Sequence, residues 1–211
     1  MADRDATAPR RRRGRPRGGR TEAREQILAA AATEFGDRGY DGATIRTIAE
    51  RAGVDSALVH HYFGTKADLF AAAIDIPINP ASAIPEVIGT DLDTAGERLV
   101  RFVLELWDRP AFRDRGVAML RSVIGNRRTA SLMVGFVSRE LIRHIGERIA
   151  PGDEGRTRAS LVASQVVGLM VTRYVLELEP IASTPVDDLV AAMGPNLQRY
   201  LTGPLTPAAS A

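Results

Sequence analysis

The side chains able to do chemistry are spread unevenly along this chain of 211 residues. Eight arginines crowd into residues 1–20 against only Asp3 and Asp5, a net +6, while residues 21–75 carry −4 and the remainder balances. Nonspecific hold on a polyanion requires phosphate neutralisation, so the arm suits nucleic acid, the plain alternative being a solubilising tail. The chain has no cysteine, which removes thiolate nucleophiles, disulfides and thiolate zinc sites together. His60 and His61 are adjacent, and neighbours on a helix do not face each other, so they cannot jointly hold a metal in the usual way. Core packing or a phosphate hydrogen bond suits either ring, and His144 is expected on a helix surface. The carboxylate pairs Asp153-Glu154 and Asp187-Asp188 stand where helix starts favour negative charge. No HExxH, GxxxxGK[ST] or dinucleotide fingerprint occurs, so neither catalysis, nor a metal, nor a cofactor is expected.

The elements that must position these groups are helical. Apolar residues recur at helical spacing from Thr21 onward, and no strand-like alternation develops, which predicts an all-α fold. Residues 1–20, rich in Arg, Gly and Pro, read as a disordered basic arm. A first helix is expected after Thr21 as N-cap, burying Ile27, Leu28, Ala31 and Phe35 and stopping near Gly39. A short second helix, Thr44 to Arg51, leads through Ala52-Gly53-Val54 into a third from Asp55 to about Phe63. Thr65-Lys66-Ala67-Asp68 matches a capping box opening a fourth. Pro77, Pro80 and Pro85 interrupt the helical pattern, which makes residues 76–90 a joint between head and body. Five further helices are expected at about Asp91 to Asp108, Pro110 to Gly125, Thr129 to Ile149, Asp153 to Leu178 and Val186 to Leu201, about nine in all. The domains are then a 21–75 head and a 76–211 helical body.

Two short helices joined by a glycine turn, with another before them, form a helix-turn-helix, whose second helix can enter a major groove. The segment Thr44 to Phe70, TIRTIAERAGVDSALVHHYFGTKADLF, resembles the DNA-binding signature of the TetR family. The likeness rests on Ala43-Thr44, Ile48-Ala49, Ala52-Gly53-Val54, His61-Tyr62-Phe63, and Lys66 with Asp68-Leu69, with Ile27-Leu28, Phe35 and Gly39-Tyr40 upstream. It covers about residues 24 to 70; the body resembles the family's C-terminal domain more weakly. The resemblance implies a three-helix head on a helical bundle, Thr44, Thr47 and Lys66 near phosphates, and Ser56, Ala57, Leu58, His60 and His61 over base edges. Many relatives have a basic residue at Ser56, Thr at Leu58 and Tyr at His60, so the operator cannot be borrowed. In the arm, Arg13-Gly14-Arg15-Pro16-Arg17 resembles an AT-hook core, in which Arg13, Arg15 and Arg17 would enter a narrow minor groove.

The body carries the remaining expectations. Ala159 to Leu178 is apolar nearly all round and needs cover on both sides. A homodimer through the last two helices would supply it, with Leu189, Val190, Met193, Leu197, Tyr200 and Leu201 forming the last helix's stripe; the alternative is a larger core within one chain. Two heads would read a palindromic operator in double-stranded DNA, released by an unknown small-molecule effector. Effector-lining candidates are Phe102, Leu106, Trp107, Met119, Met133, Phe136, Met170 and Tyr174, with Arg121 and Arg173 as possible anchors for an acidic group. Arg173 could equally form an intersubunit ion pair. The reading is a cytoplasmic transcriptional repressor without a membrane segment; the competing one is an architectural DNA-binding dimer with no effector.

Overall fold

The computed structural model describes residues 19–76 and 78–205, so the arginine arm, with Arg13, Arg15 and Arg17, lies outside the described residues. Within them the chain is all-α, as expected, with no strand. Helix α1 (Gly19–Gly42) begins before Thr21, which is therefore a helical residue rather than a cap. Gly39 breaks the helical geometry at φ 74°, a conformation costly for any residue with a Cβ. Helix α2 (Ile45–Ala52) is capped by Thr44, whose side chain accepts from the Thr47 amide while Thr47 reciprocates. Gly53, left-handed at φ 66°, turns the chain into α3 (Ser56–Phe63), capped by Asp55. Thr65 and Asp68 close the expected capping box on α4 (Lys66–Ala73).

The proline-rich joint is a correction: residues 80–88 form a helix, α5 (Pro80–Ile88). Asn79 caps it through the Ala81 amide at 2.9 Å, and Pro80 occupies the first turn, where a missing N–H costs nothing. Pro85 forgoes one internal hydrogen bond, which so short a helix tolerates when it packs on a neighbour. The Asn79 amide also donates to Asp68 at 2.7 Å and ties α5 to α4.

The body follows as α6 (Ala95–Trp107), α7 (Pro110–Gly125), α8 (Arg127–Phe136), α9 (Arg143–Ile149), α10 (Gly152–Met170) and α11 (Val186–Thr202). A π-helical turn, Val137–Ile142, joins α8 to α9 in one rod, and another, Val171–Val175, extends α10. The described residues thus hold ten rods, one more than expected, the extra being α5. Helix α11 crosses α6 so closely that a Cβ on Gly96 would lie 2.4 Å from the Gly194 carbonyl oxygen. Its stripe of Leu189, Val190, Leu197 and Leu201 is buried in that crossing, within one chain, instead of being left for a partner.

Two cores result. One fills the body around Leu99, Leu104, Leu169 and Leu197. The other fills the head around Ile27, Phe35, Ile48, Val59, Leu69 and Phe70; Phe136 of the body is buried in it, and Leu132, Met133 and Val137 pack against it.

Candidate nucleic-acid interface and buried chamber

Helix α3 is held from behind by Val59 and Phe63, which are buried, while Ala57, His60 and His61 are exposed and Ser56 and Leu58 half-buried. Eight residues give two turns, and with the buried pair on one side the other side is free to enter a groove. The His60 ring bonds the Gly64 carbonyl through Nδ1 at 2.8 Å. A carbonyl only accepts, so Nδ1 donates in this bond. His61 sits edge-on to Tyr62 at 5.5 Å. Among the described residues no three His, Asp or Glu side chains converge as a metal site would require.

Thr44 is exposed at the start of α2, and Thr47 is half-buried, its hydroxyl donating to the Thr44 carbonyl at 3.0 Å. Both are thus part of the cap that orients the first-turn amides outward. Lys66 begins α4, but its ammonium lies 4.5 Å from the centre of the Tyr40 ring, turned toward the junction between head and body. Burial holds its pKa below the usual lysine value. Tyr40 in turn donates to Glu140 of the π turn at 2.8 Å, and burial followed by that hydrogen bond raises its pKa.

The head's excess of acid is accounted for by where its carboxylates point. Glu34, almost fully buried, is paired with Arg51 at 2.7 Å and Arg38 at 3.1 Å. Asp37, Asp41 and Asp75 are met by the body arginines Arg128, Arg139 and Arg115, at 3.8, 2.9 and 3.4 Å. Asp55 is engaged with the amide of Ala57 at 2.7 Å. Helix α3 itself carries no acidic residue.

The body encloses an apolar chamber of about 210 Å³ between α5, α6, α7, α8 and α10. Of the expected lining, Phe102, Leu106, Trp107, Met119, Met133, Phe136 and Met170 are brought together there. Three candidates are not. Tyr174 donates to Asp108 at 2.8 Å, and burial and that bond push its pKa up to about 12. Arg121 is exposed outside the chamber. Arg173 donates to the Ile181 and Thr184 carbonyls at 2.6 and 2.8 Å, so within the chain it anchors the loop before α11 and does not line the chamber. The charged chamber residues are instead Asp75 and Arg115. Arg115 was legible: Phe112, Arg115, Gly116, Met119 and Leu120 follow helical spacing, and all line the chamber.

Comparison with known proteins agrees with this layout. Residues 27–73 match the family described as "Bacterial regulatory proteins, tetR family", and residues 93–201, just over half of the chain, match "Tetracyclin repressor-like, C-terminal domain". The chain belongs to the TetR family. Its relatives include the HTH-type transcriptional activator FasR of Mycolicibacterium smegmatis, 36% identical over 102 residues that cover 44% of this chain and 47% of FasR. The HTH-type transcriptional regulator BetI of Rhizobium meliloti is 28% identical over 175 residues, covering 75% of this chain and 81% of BetI. A crystal structure of a TetR-family regulator from Streptomyces coelicolor is 34% identical, covers 89% of this chain and 98% of that one, and has a TM-score of 0.46. The chain spans less than half the length of FasR and of several other curated relatives it matches. These relatives are regulators, not enzymes. For a TetR-family chain, the boundary between the two matched regions falls at α5, the helix that the prolines concealed.

Proposed function

We propose that this chain is a sequence-specific DNA-binding transcriptional regulator, acting as a repressor that a small molecule releases from a palindromic operator. The observation that carries the reading is the acid-free face of α3, with Ala57, His60 and His61 outward and the capped starts of α2 and α4 beside it. Helix N-termini present free amides and the positive end of a dipole to phosphates, so Thr44, Thr47 and the backbone at Lys66, whose ammonium is turned to Tyr40, position the head while Ser56, Ala57, Leu58, His60 and His61 face base edges. The basic arm, through Arg13, Arg15 and Arg17, adds minor-groove contact.

Two copies read the site together, joined through α10 and α11. The face left for a partner is the outward one, where Val167, Gly168, Ala191 and Ala192 are exposed and small enough for helices to approach. Paired heads about 34–36 Å apart would meet successive major grooves. An effector in the chamber shifts head separation by its preference for one arrangement. No helix among the described residues is long and apolar enough to cross a membrane, and the proposed place of work is the cytoplasm, with the DNA.

Selection of bound DNA from a random pool by the full chain, followed by footprinting, tests this. A single palindrome with half-sites one helical turn apart is expected, together with a flatter salt dependence once residues 1–18 are removed. Protection that ignores sequence would overturn the regulator and leave an architectural binder.

A further inference from the structure

The chamber opens beside a wider cleft of about 490 Å³, and the two share Asp75, Arg115, Met119 and Met133. The Arg115–Asp75 ion pair therefore stands at the mouth, at 3.4 Å, between an apolar interior and solvent. Resting on the reading of the chamber as an effector site, we infer that Arg115 anchors the carboxylate of an amphipathic acid. The acid's apolar body fills the chamber, and its head group takes Asp75's place on the guanidinium.

Three observations carry this. First, the residues lining the chamber are apolar apart from Asp75 and Arg115, so any ionised group on a ligand must stay at the mouth or lose its hydration unpaired. Second, the existing pair is easily exchanged: the Asp75 side chain is 77% exposed and that of Arg115 54%, and exposed pairs contribute little. Third, the two partners are not equivalent. Arg115 is set in the α7 stripe between Phe112 and Met119 and lines both the chamber and the cleft. Asp75 lies just past the end of α4, where the helix dipole disfavours a carboxylate, and it holds a left-handed φ of 57°, rare for a residue with a Cβ. An incoming carboxylate finds a planar, bidentate donor in Arg115, while Asp75 swings into water. A cationic ligand would find only Asp75 and would lie against Arg115.

Trp107 lines the chamber and is the only tryptophan in the sequence, so its fluorescence reports occupancy directly. Octanoate, octanol and octylamine would be titrated into the full chain, into Arg115→Gln and into Asp75→Asn, with thermal melting as a second readout. Octanoate is expected to bind the unaltered chain at least tenfold more tightly than octanol or octylamine. Arg115→Gln should erase the difference, and Asp75→Asn should strengthen octanoate severalfold. Equal affinity for all three probes, tighter binding of the amine, a preference that survives Arg115→Gln, or no binding by either readout would overturn the inference. The regulator reading fails separately: octanoate bound with the expected preference, yet without effect on the DNA footprint, would leave the acid site standing and remove its effector role.

Discussion

At the scale of single residues, buried charge in this protein is placed for architecture. Arg158, 9% exposed, bonds Glu154 and reaches the Tyr200 and Gly203 carbonyls at 3.0 and 2.9 Å, closing the C-terminal end of α11. Arg173 does the same for the loop that precedes that helix. Arg173 stands out in the sequence as a cation in an apolar helix, but a guanidinium donates to any oxygen, and only the fold shows that its partners are backbone carbonyls. Glu34 yields a pH prediction. The Arg51 hydrogen bond, outweighing desolvation, lowers its pKa below the ordinary carboxylate value. A lowered folded-state pKa contributes stability that is present above the unfolded pKa and is lost as pH falls through the folded one. Asp68, desolvated but bonded by Thr65 and Asn79, shifts in the same direction. Glu34→Gln is therefore expected to lower the neutral-pH melting temperature and to flatten, without abolishing, its fall between pH 7 and pH 3. Melting curves as steep in acid as those of the unaltered chain would contradict the assignment.

At the scale of elements, the crossing of α6 and α11 sets the body. Backbone meets backbone at Gly96 and Gly194, and a methyl at Gly96 has no flexible side chain to push aside. Gly96→Ala should cost about 1–3 kcal/mol by overpacking. Gly125→Ala, at the end of α7 with open space around it, should be neutral or slightly stabilising. Urea unfolding of the two variants in parallel measures the contrast, and equal midpoints would sink the tight-crossing account. This crossing also explains why the stripe on the last helix misled: amphipathic spacing states that a face is covered, not which chain covers it. Helix α5 escaped notice for a related reason, since three prolines read as an interruption until Asn79 supplies a cap and Pro80 a compatible first turn.

At the scale of the molecule, the head and body share a side chain. Phe136 of α8 stacks on Phe70 at 4.8 Å, meets Tyr40 edge-on at 5.4 Å, and also lines the chamber. The ion pairs from Arg115, Arg128 and Arg139 to head carboxylates run across the same boundary. Packed cores pass displacement on because they leave little free volume. Phe136→Ala is expected to cost about 3–5 kcal/mol and to lower hydrogen-exchange protection in α1 and α4 of the head, although the substituted residue belongs to the body. Unchanged protection in those helices would show that the two units do not sense each other through this ring.

The sequence by itself determined the helical class, the turn at Gly53, the capping box at Thr65, and seven of the residues on the chamber's apolar wall. Each of these depends on local chemistry: side-chain oxygens within reach of nearby amides, a left-handed turn suited to glycine, and spacing along one helix face. Tertiary structure alone decided that Arg173 meets loop carbonyls, that α11 is buried on α6, and that Phe136 joins the head. Those facts are pairings between distant segments, and a residue's own neighbours in sequence say that it needs a partner without saying which one the fold will bring.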